Sequence, residues 1–228
     1  ENPISGDMGV MRPSLLPGLV KVYLHNQNRQ QSRVRIFETG SRFVGDVNKL
    51  DELDQKHQVA GLIAGSRYPE GWYHNNEKVD FYDLKAHVEA LFALNQGPKP
   101  AFERADEVYL HPGRSAYVLV NGERVGVIGE LHPQLAKQLG TNQAVYVFEM
   151  DLNTVLGAKL PEYQRVSKFP EVRRDLALLV DRATPVNELE KVIADNAGEA
   201  FQKVAVFDVY QGQGIDELKK SVALGLTW

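Results

Sequence analysis

The stretch MRPSLLPGLVKVYLHNQNRQQSRVRIFETGSRFV, residues 11–44, joins a helical signal to an extended one. Met11, Leu15, Leu16, Leu19, Val22 and Tyr23 recur at helical spacing, which makes one side of the segment apolar. Arg12 and Lys21 fall between those positions, and the polar run at 25–31 leads the chain out. Pro13 suits a first helical turn, where its missing N–H is not needed. Pro17 either marks the true start of the helix or kinks it. Val34, Ile36 and Glu38 then alternate with Arg35, Phe37 and Thr39, a strand period, before Gly40 permits a turn.

Upstream, Pro3, Gly6 and Gly9 predict an irregular segment docked through Ile4 and Met8. Downstream, 45–56 reads as a polar connection and 57–65 as a short buried strand bounded by glycines. Residues 66–78, with Pro69, Gly71, Asn75 and Asn76, form an exposed excursion. Phe81, Leu84, Val88, Leu91 and Phe92 give residues 80–94 the core-facing stripe of a second helix. Strands at 117–120 and 125–128 flank Asn121-Gly122, a strong hairpin signal. His132-Pro133 opens a short helix that Gly140 ends, and 144–150 is a further strand.

Residues 157–168 have no period and contain the linker, placed at 158–162. A strand at 174–180, a helix at 186–197, and strands at 203–210 and 220–228 follow, the β-α-β-β opening of a ferredoxin-like sandwich that lacks its last helix and strand. The fold class is therefore α+β. An antiparallel-sheet domain spans 1–157 and a truncated ferredoxin-like domain spans 163–228. Glu1 is not a start methionine and Trp228 stops within an apolar run, so a longer chain is expected.

The apolar fraction of 43% and charged fraction of 25% belong to globular proteins, and no run of about eighteen apolar residues exists to span a membrane. The absence of cysteine excludes a disulfide scaffold or thiolate metal site and fits a reducing cytosol. A net charge of −4 argues against general attraction to polyanions, so a nucleic-acid contact requires a local basic patch. His25, His57, His74, His87, His111 and His132 lack metal-ligand spacing and read as structural. Acidic runs at 51–54 and 103–107 read as solvated faces, and no glycine-rich phosphate loop is present.

The segments NPIS, MRPSLLPGLVK, NQNR and VRIFETGSRF resemble the catalytic-like core of bacterial phenylalanyl-tRNA synthetase beta subunits. FPEVRRDLALLV and VFDVYQGQG resemble the anticodon-binding domain of the same family, so the likeness covers nearly the whole chain. The resemblance implies a class II synthetase-like domain over 1–157 that pairs with the catalytic alpha subunit in an α2β2 cytoplasmic assembly. Met11, Leu15, Leu16, Leu19 and Tyr23 are the expected subunit surface, with a core helix as the alternative. ATP and magnesium are expected for the holoenzyme and none for this portion. The family's catalytic subunit meets ATP through a glycine-rich stretch ending in arginine. Residues 148–154 stand at the matching place here, with Glu149 and Asp151 for glycines and Thr154 for the arginine. Two carboxylates there would repel a triphosphate. The preceding strand offers Arg35 and Arg42 but no Phe-Arg-x-Glu motif.

The resemblance also implies that the second domain holds the tRNA anticodon stem-loop. Arg173 and Arg174 are the first candidates, then Tyr210, Lys219 and Lys220, with Arg165, Lys168 and Lys203 as further cations. Tyr163, Phe169 and Phe207 can offer stacking faces, although Phe207 in a valine-rich strand usually belongs to a core. Two rivals stay open: a stand-alone RNA-binding paralogue, and a biotin- or lipoate-ligase-like enzyme, whose lysine and glycine-rich adenylate loop is not found.

Overall fold

Helix α1, Leu16–Gln27, begins where Pro17 places it, in the first turn, so residues 11–14 lie outside the helix. The computed structural model describes residues 6, 9–45, 53–94, 97–157, 163 and 170–228. The linker expected at 158–162, the docking of Ile4 and Met8, the cations Arg165 and Lys168, and Phe169 fall outside the described residues. The chain forms two compact units, Glu1–Glu162 and Tyr163–Trp228.

In the first unit, β1 (Val34–Val44), β2 (Asp54–Ala64), β3 (Ala101–Arg104), β4 (Leu110–Val120), β5 (Glu123–Leu131) and β6 (Val145–Asp151) make one sheet. Its order is β1-β2-β6-β5-β4-β3 and every pairing is antiparallel. The strand period divides each strand between two faces. Ala60, Leu62, Val145 and Val147 meet Leu15, Leu16, Leu19 and Tyr23 on one face. On the other, Val59, Ile63, Val118, Ile128, Phe148 and Met150 meet Leu84, Val88 and Phe92 of α2 (Phe81–Leu94) and Val155 of α4 (Leu152–Leu156).

Leu15, Leu16, Leu19 and Tyr23 are at most 6% exposed, so the stripe expected to serve the subunit surface is taken up by this chain's own sheet. Only Met11 of that set is exposed. At Gly40, where a turn was expected, β1 instead runs straight through. A Cβ at Gly40 would collide with the guanidinium of Arg12, which crosses the strand to pair with Glu38 and to donate to the Ser41 carbonyl. Strand β3, absent from the sequence reading, is a four-residue edge pairing with β4.

Local chemistry explains the boundaries. Asn121 and Gly122 have φ of 54° and 84°, as a two-residue hairpin requires. His132 Nδ1 accepts from the Gln134 N–H ahead of α3 (Pro133–Leu139), and Gly140 closes that helix at φ 71°. Asp80 Oδ1 accepts from the Tyr82 and Asp83 N–H groups, while Asp83 Oδ2 accepts from the Asp80 N–H, a reciprocal cap on α2.

In the second unit, β7 (Arg173–Asp181), β8 (Lys203–Tyr210) and β9 (Lys219–Thr227) form an antiparallel sheet in the order β7-β9-β8. Helix α5, Val186–Asn196, covers one face, packing Leu189 and Ile193 over Leu178, Val180, Val222 and Leu224.

Candidate functional site

On the α1 side of the first sheet, beyond the start of that helix, a cavity of about 480 Å³ is lined by Arg42, Lys56, Gln58, Tyr117, Glu149 and Asp151, among others. Glu149 and Asp151 share this side because they stand two apart on β6. Glu149 Oε1 accepts from the Leu15 N–H at 2.6 Å and Oε2 accepts from the Ser14 hydroxyl at 2.9 Å. Ser14 Oγ in turn accepts from the Leu16 N–H at 3.1 Å. Leu15 stands at the N-cap position and has no side-chain acceptor; Ser14 takes up the Leu16 N–H, and the carboxylate from β6 takes up the Leu15 N–H. Its negative charge also faces the positive end of α1.

Asp151 does the same for α4, accepting from the Thr154 N–H at 2.8 Å and from the Thr154 hydroxyl at 3.1 Å. Both carboxylates thus start helices, and Thr154 is bonded to one of them. Arg35 lies on the opposite face of β1, donating to the Arg67 carbonyl at 2.8 Å and contacting His87 at 3.0 Å. Arg42 remains on the cavity side, its Nε shielded from solvent with no hydrogen-bond partner. Arg124 stacks 3.8 Å from the Tyr117 ring, whose hydroxyl donates to Glu107 at 3.1 Å. Burial, then the charges of Glu107 and Glu149, push the Tyr109 phenol up to about 12, so it stays neutral. Four carboxylates, Glu107, Glu123, Glu149 and Asp151, line this cavity with three cations, Arg42, Lys56 and Arg124.

The second unit presents a different surface. One face of its sheet lies under α5, and the opposite face carries Ser221, Ala223, Gly225 and Thr227 on β9, Asp175, Ala177 and Leu179 on β7, and Ala205 and Asp208 on β8. Arg173 lies across this face. A Cβ at Gly225 would come within 2.6 Å of its guanidinium, which reaches to 5.6 Å from the Phe207 ring. Val206 pairs with Leu224 and Asp208 with Ala223, leaving Phe207 as the extra residue of a bulge. Phe207 is 54% exposed and not in the core that a valine-rich strand suggested, because Val204 and Val206 take the α5 side and alternation puts Phe207 on the other. Tyr210, opposite Ser221 on the same face, is half exposed and donates to the Gln213 carbonyl at 3.0 Å.

Residues 1–152 match the family model described as the phenylalanyl tRNA synthetase beta chain CLM domain, and residues 167–228 match that of a ferredoxin-fold anticodon binding domain. The chain belongs to the phenylalanyl-tRNA synthetase beta chain family. Curated relatives named phenylalanine–tRNA ligase beta subunit include those of Pseudomonas fluorescens Pf-5, 51% identical, and Pseudomonas syringae pv. tomato DC3000, 50% identical. That of Hahella chejuensis is 43% identical. All three alignments cover the whole of this chain and 28% of the relative's length.

The five cations and aromatics singled out by sequence do not form one cluster. Arg173 and Arg174 are consecutive strand residues and take opposite faces: Arg173 lies on the open side, Arg174 on the side of α5 with Leu176 and Leu178. Lys219 and Tyr210 share the open side. Lys220 lies on the α5 side, where its Nζ donates to the Thr184 carbonyl at 2.6 Å. Arg173 and Tyr210 stand at opposite ends of the open face, about 20 Å apart at roughly 3.3 Å per residue. The alternation that separates Arg173 from Arg174 was present in the sequence. What sequence reasoning missed was the capping role of Glu149, for which no local motif exists. Among the described residues no group of three histidine, aspartate or glutamate side chains converges as a metal site needs.

Proposed function

We propose that this chain is part of the beta subunit of a phenylalanine–tRNA ligase, the enzyme that uses ATP to attach phenylalanine to its tRNA. In this reading the first unit, class II synthetase-like in descent, is a non-catalytic scaffold for the companion alpha subunit in an α2β2 cytoplasmic assembly. ATP and magnesium serve that companion. The second unit holds the anticodon region of the tRNA on its open sheet face.

The observation that carries the reading is that open face: Ala177, Ala205, Ser221 and Ala223 lie between Arg173, which pairs with Asp175 at 3.0 Å, and Phe207 at one end and Tyr210 at the other. Such a surface lets unpaired bases approach the sheet, stack on aromatic rings and place phosphates beside a guanidinium. The capping bonds of Glu149 and Asp151 support the non-catalytic half, because both carboxylates have structural work where a nucleotide would need cations.

The test is tRNA binding by the full-length beta subunit assembled with the alpha subunit, measured across a salt series. Arg173→Ala weakens binding and lowers the salt slope by roughly one phosphate contact. Tyr210→Ala weakens it by about 1–3 kcal/mol with the slope unchanged, as a lost stacking platform would. Arg174→Ala, on the other side of the sheet, binds nearly as the wild type. Wild-type affinity and slope in both Arg173→Ala and Tyr210→Ala would refute the assignment.

A further inference from the structure

A strand side chain ordinarily stands away from its sheet, but Arg173 lies down across this one. Asp175 is the next residue on the open face of β7, and its Oδ1 accepts from Arg173 Nε at 3.0 Å. Asp175 pairs with Gly225 of β9, where a Cβ would come within 2.6 Å of Arg173 Nη2 and 2.9 Å of its Nε and Cζ. The guanidinium therefore occupies space that any other residue at 225 would fill. Its far side reaches to 5.6 Å from the Phe207 ring on β8, within cation–π range. One side chain thus spans the sheet from β7 to β8, held by a carboxylate, a missing Cβ and an aromatic ring.

The charge around it is balanced. Lys203 pairs with Thr227 on the same row as Arg173, and its Nζ lies 3.8 Å from Glu171. Arg173, Lys203, Glu171 and Asp175 bring as many carboxylates as cations to this end of the open face, so it offers little net attraction to a polyanion. All four side chains are more than half exposed, and pairs so exposed contribute little to stability. Their effect is on position and selectivity. An arginine free in water surrenders rotamers when it docks, whereas one already fixed does not. With Nε bonded to Asp175, the two Nη groups keep the fork that meets two oxygens of a phosphate or the edge of a base. Long-range attraction draws any RNA, while the fork acts only where the geometry matches.

We propose that Asp175 is a specificity-determining residue for tRNA binding. It holds Arg173 flat over Gly225, so that the guanidinium meets RNA in one orientation, and it offsets the charge that would otherwise draw any polyanion. Asp175 acts through Arg173 and is a positioning residue, with Gly225 supplying the space. The proposal rests on the functional reading above, in which this face binds tRNA.

The test uses the full-length beta subunit assembled with the alpha subunit. Dissociation constants are measured across a salt series for the phenylalanine tRNA and for a single-stranded uridine homopolymer. Asp175→Ala lowers the preference for the tRNA over the homopolymer at least about tenfold and steepens the salt slope for the homopolymer by roughly one ion. In an Arg173→Ala background the same substitution changes neither quantity, a non-additivity that a merely structural role of Asp175 would not produce. Gly225→Ala displaces the guanidinium without altering charge, so it weakens tRNA binding several-fold and leaves both salt slopes as in the wild type. Wild-type preference and slope in Asp175→Ala, or an equal effect with and without Arg173, would overturn the role of Asp175. The functional reading then still stands if Arg173→Ala or Tyr210→Ala weakens tRNA binding. Wild-type tRNA affinity and slope in both of those variants overturns the functional reading and this inference with it.

Discussion

Replacing Glu149 by alanine tests the account of the first unit at its most specific point. The carboxylate accepts from the Leu15 N–H at 2.6 Å and the Ser14 hydroxyl at 2.9 Å. Leu15 is 0% exposed, so its donor has no easy access to water once Glu149 is gone. A stranded buried donor costs about 1–3 kcal/mol, and loss of an N-cap acceptor alone typically costs about 1 kcal/mol. The Ser14 hydroxyl, nearer the surface, turns to water and adds little. The expected loss is therefore about 2–3 kcal/mol, or roughly 5–10 °C in the midpoint of a unit of this size. Urea unfolding followed by far-UV CD measures the loss. Hydrogen exchange should place the increased opening at the first turn of α1. Glu149→Gln keeps an acceptor for Leu15 but loses the charge facing the helix dipole, so it should lose only about 1 kcal/mol. An alanine variant destabilised by less than about 0.5 kcal/mol, or a glutamine variant as impaired as alanine, would refute the cap.

Asp83 supplies a pH test. Burial pushes its carboxyl upward, but hydrogen bonds from Arg67 and the Asp80 N–H, with the charges of Arg67 and Arg35, hold it below the ordinary value. A carboxyl depressed in the folded state contributes stability that is present above its unfolded value, about 3.9, and is lost as pH falls through the folded one. Urea midpoints between pH 6 and pH 2.5 should fall less steeply at the acid end for Asp83→Asn than for the wild type, and parallel curves would exclude the linkage. Gly65→Ala should lose about 3 kcal/mol or more, because φ is +94° and a Cβ would strike the Ser32 carbonyl; Gly122→Ala, at φ +84° in open space, should lose only about 1 kcal/mol. Denaturant titration of the pair distinguishes backbone collision from φ strain alone. Lys220→Met should lower the stability of the second unit by about 1 kcal/mol through the lost bond to Thr184, with tRNA affinity unchanged in a filter assay.

Much of the framework was legible in the residues. Helix α2 followed from its stripe, the hairpin from Asn121-Gly122, the end of α3 from Gly140, and the β-α-β-β order from strand and helix periods near those observed. Periodicity is a local property, set by backbone geometry within a few residues. Short edges escape it: β3 is four residues long, too brief for alternation to register, and exists by pairing with β4.

Other features depend on partners distant in sequence. Gly40 read as a turn because glycine permits one; it lies in a strand because Arg12, 28 positions earlier, crosses there to reach Glu38. The α1 stripe was compatible with a core or with a subunit surface, and only the sheet laid against it decided for the core. Glu149 read as a carboxylate repelling phosphate, which its chemistry alone implies. That it also begins a helix 134 residues away required β6 and residue 15 to be brought together. In the second unit, alternation separates Arg173 from Arg174 without saying which face stays open, and that depends on where α5 packs. By itself the sequence determined the element types, the family likeness and the charges available. The tertiary structure decided which side chains remain accessible, because burial and hydrogen bonding are set by contacts between segments far apart along the chain.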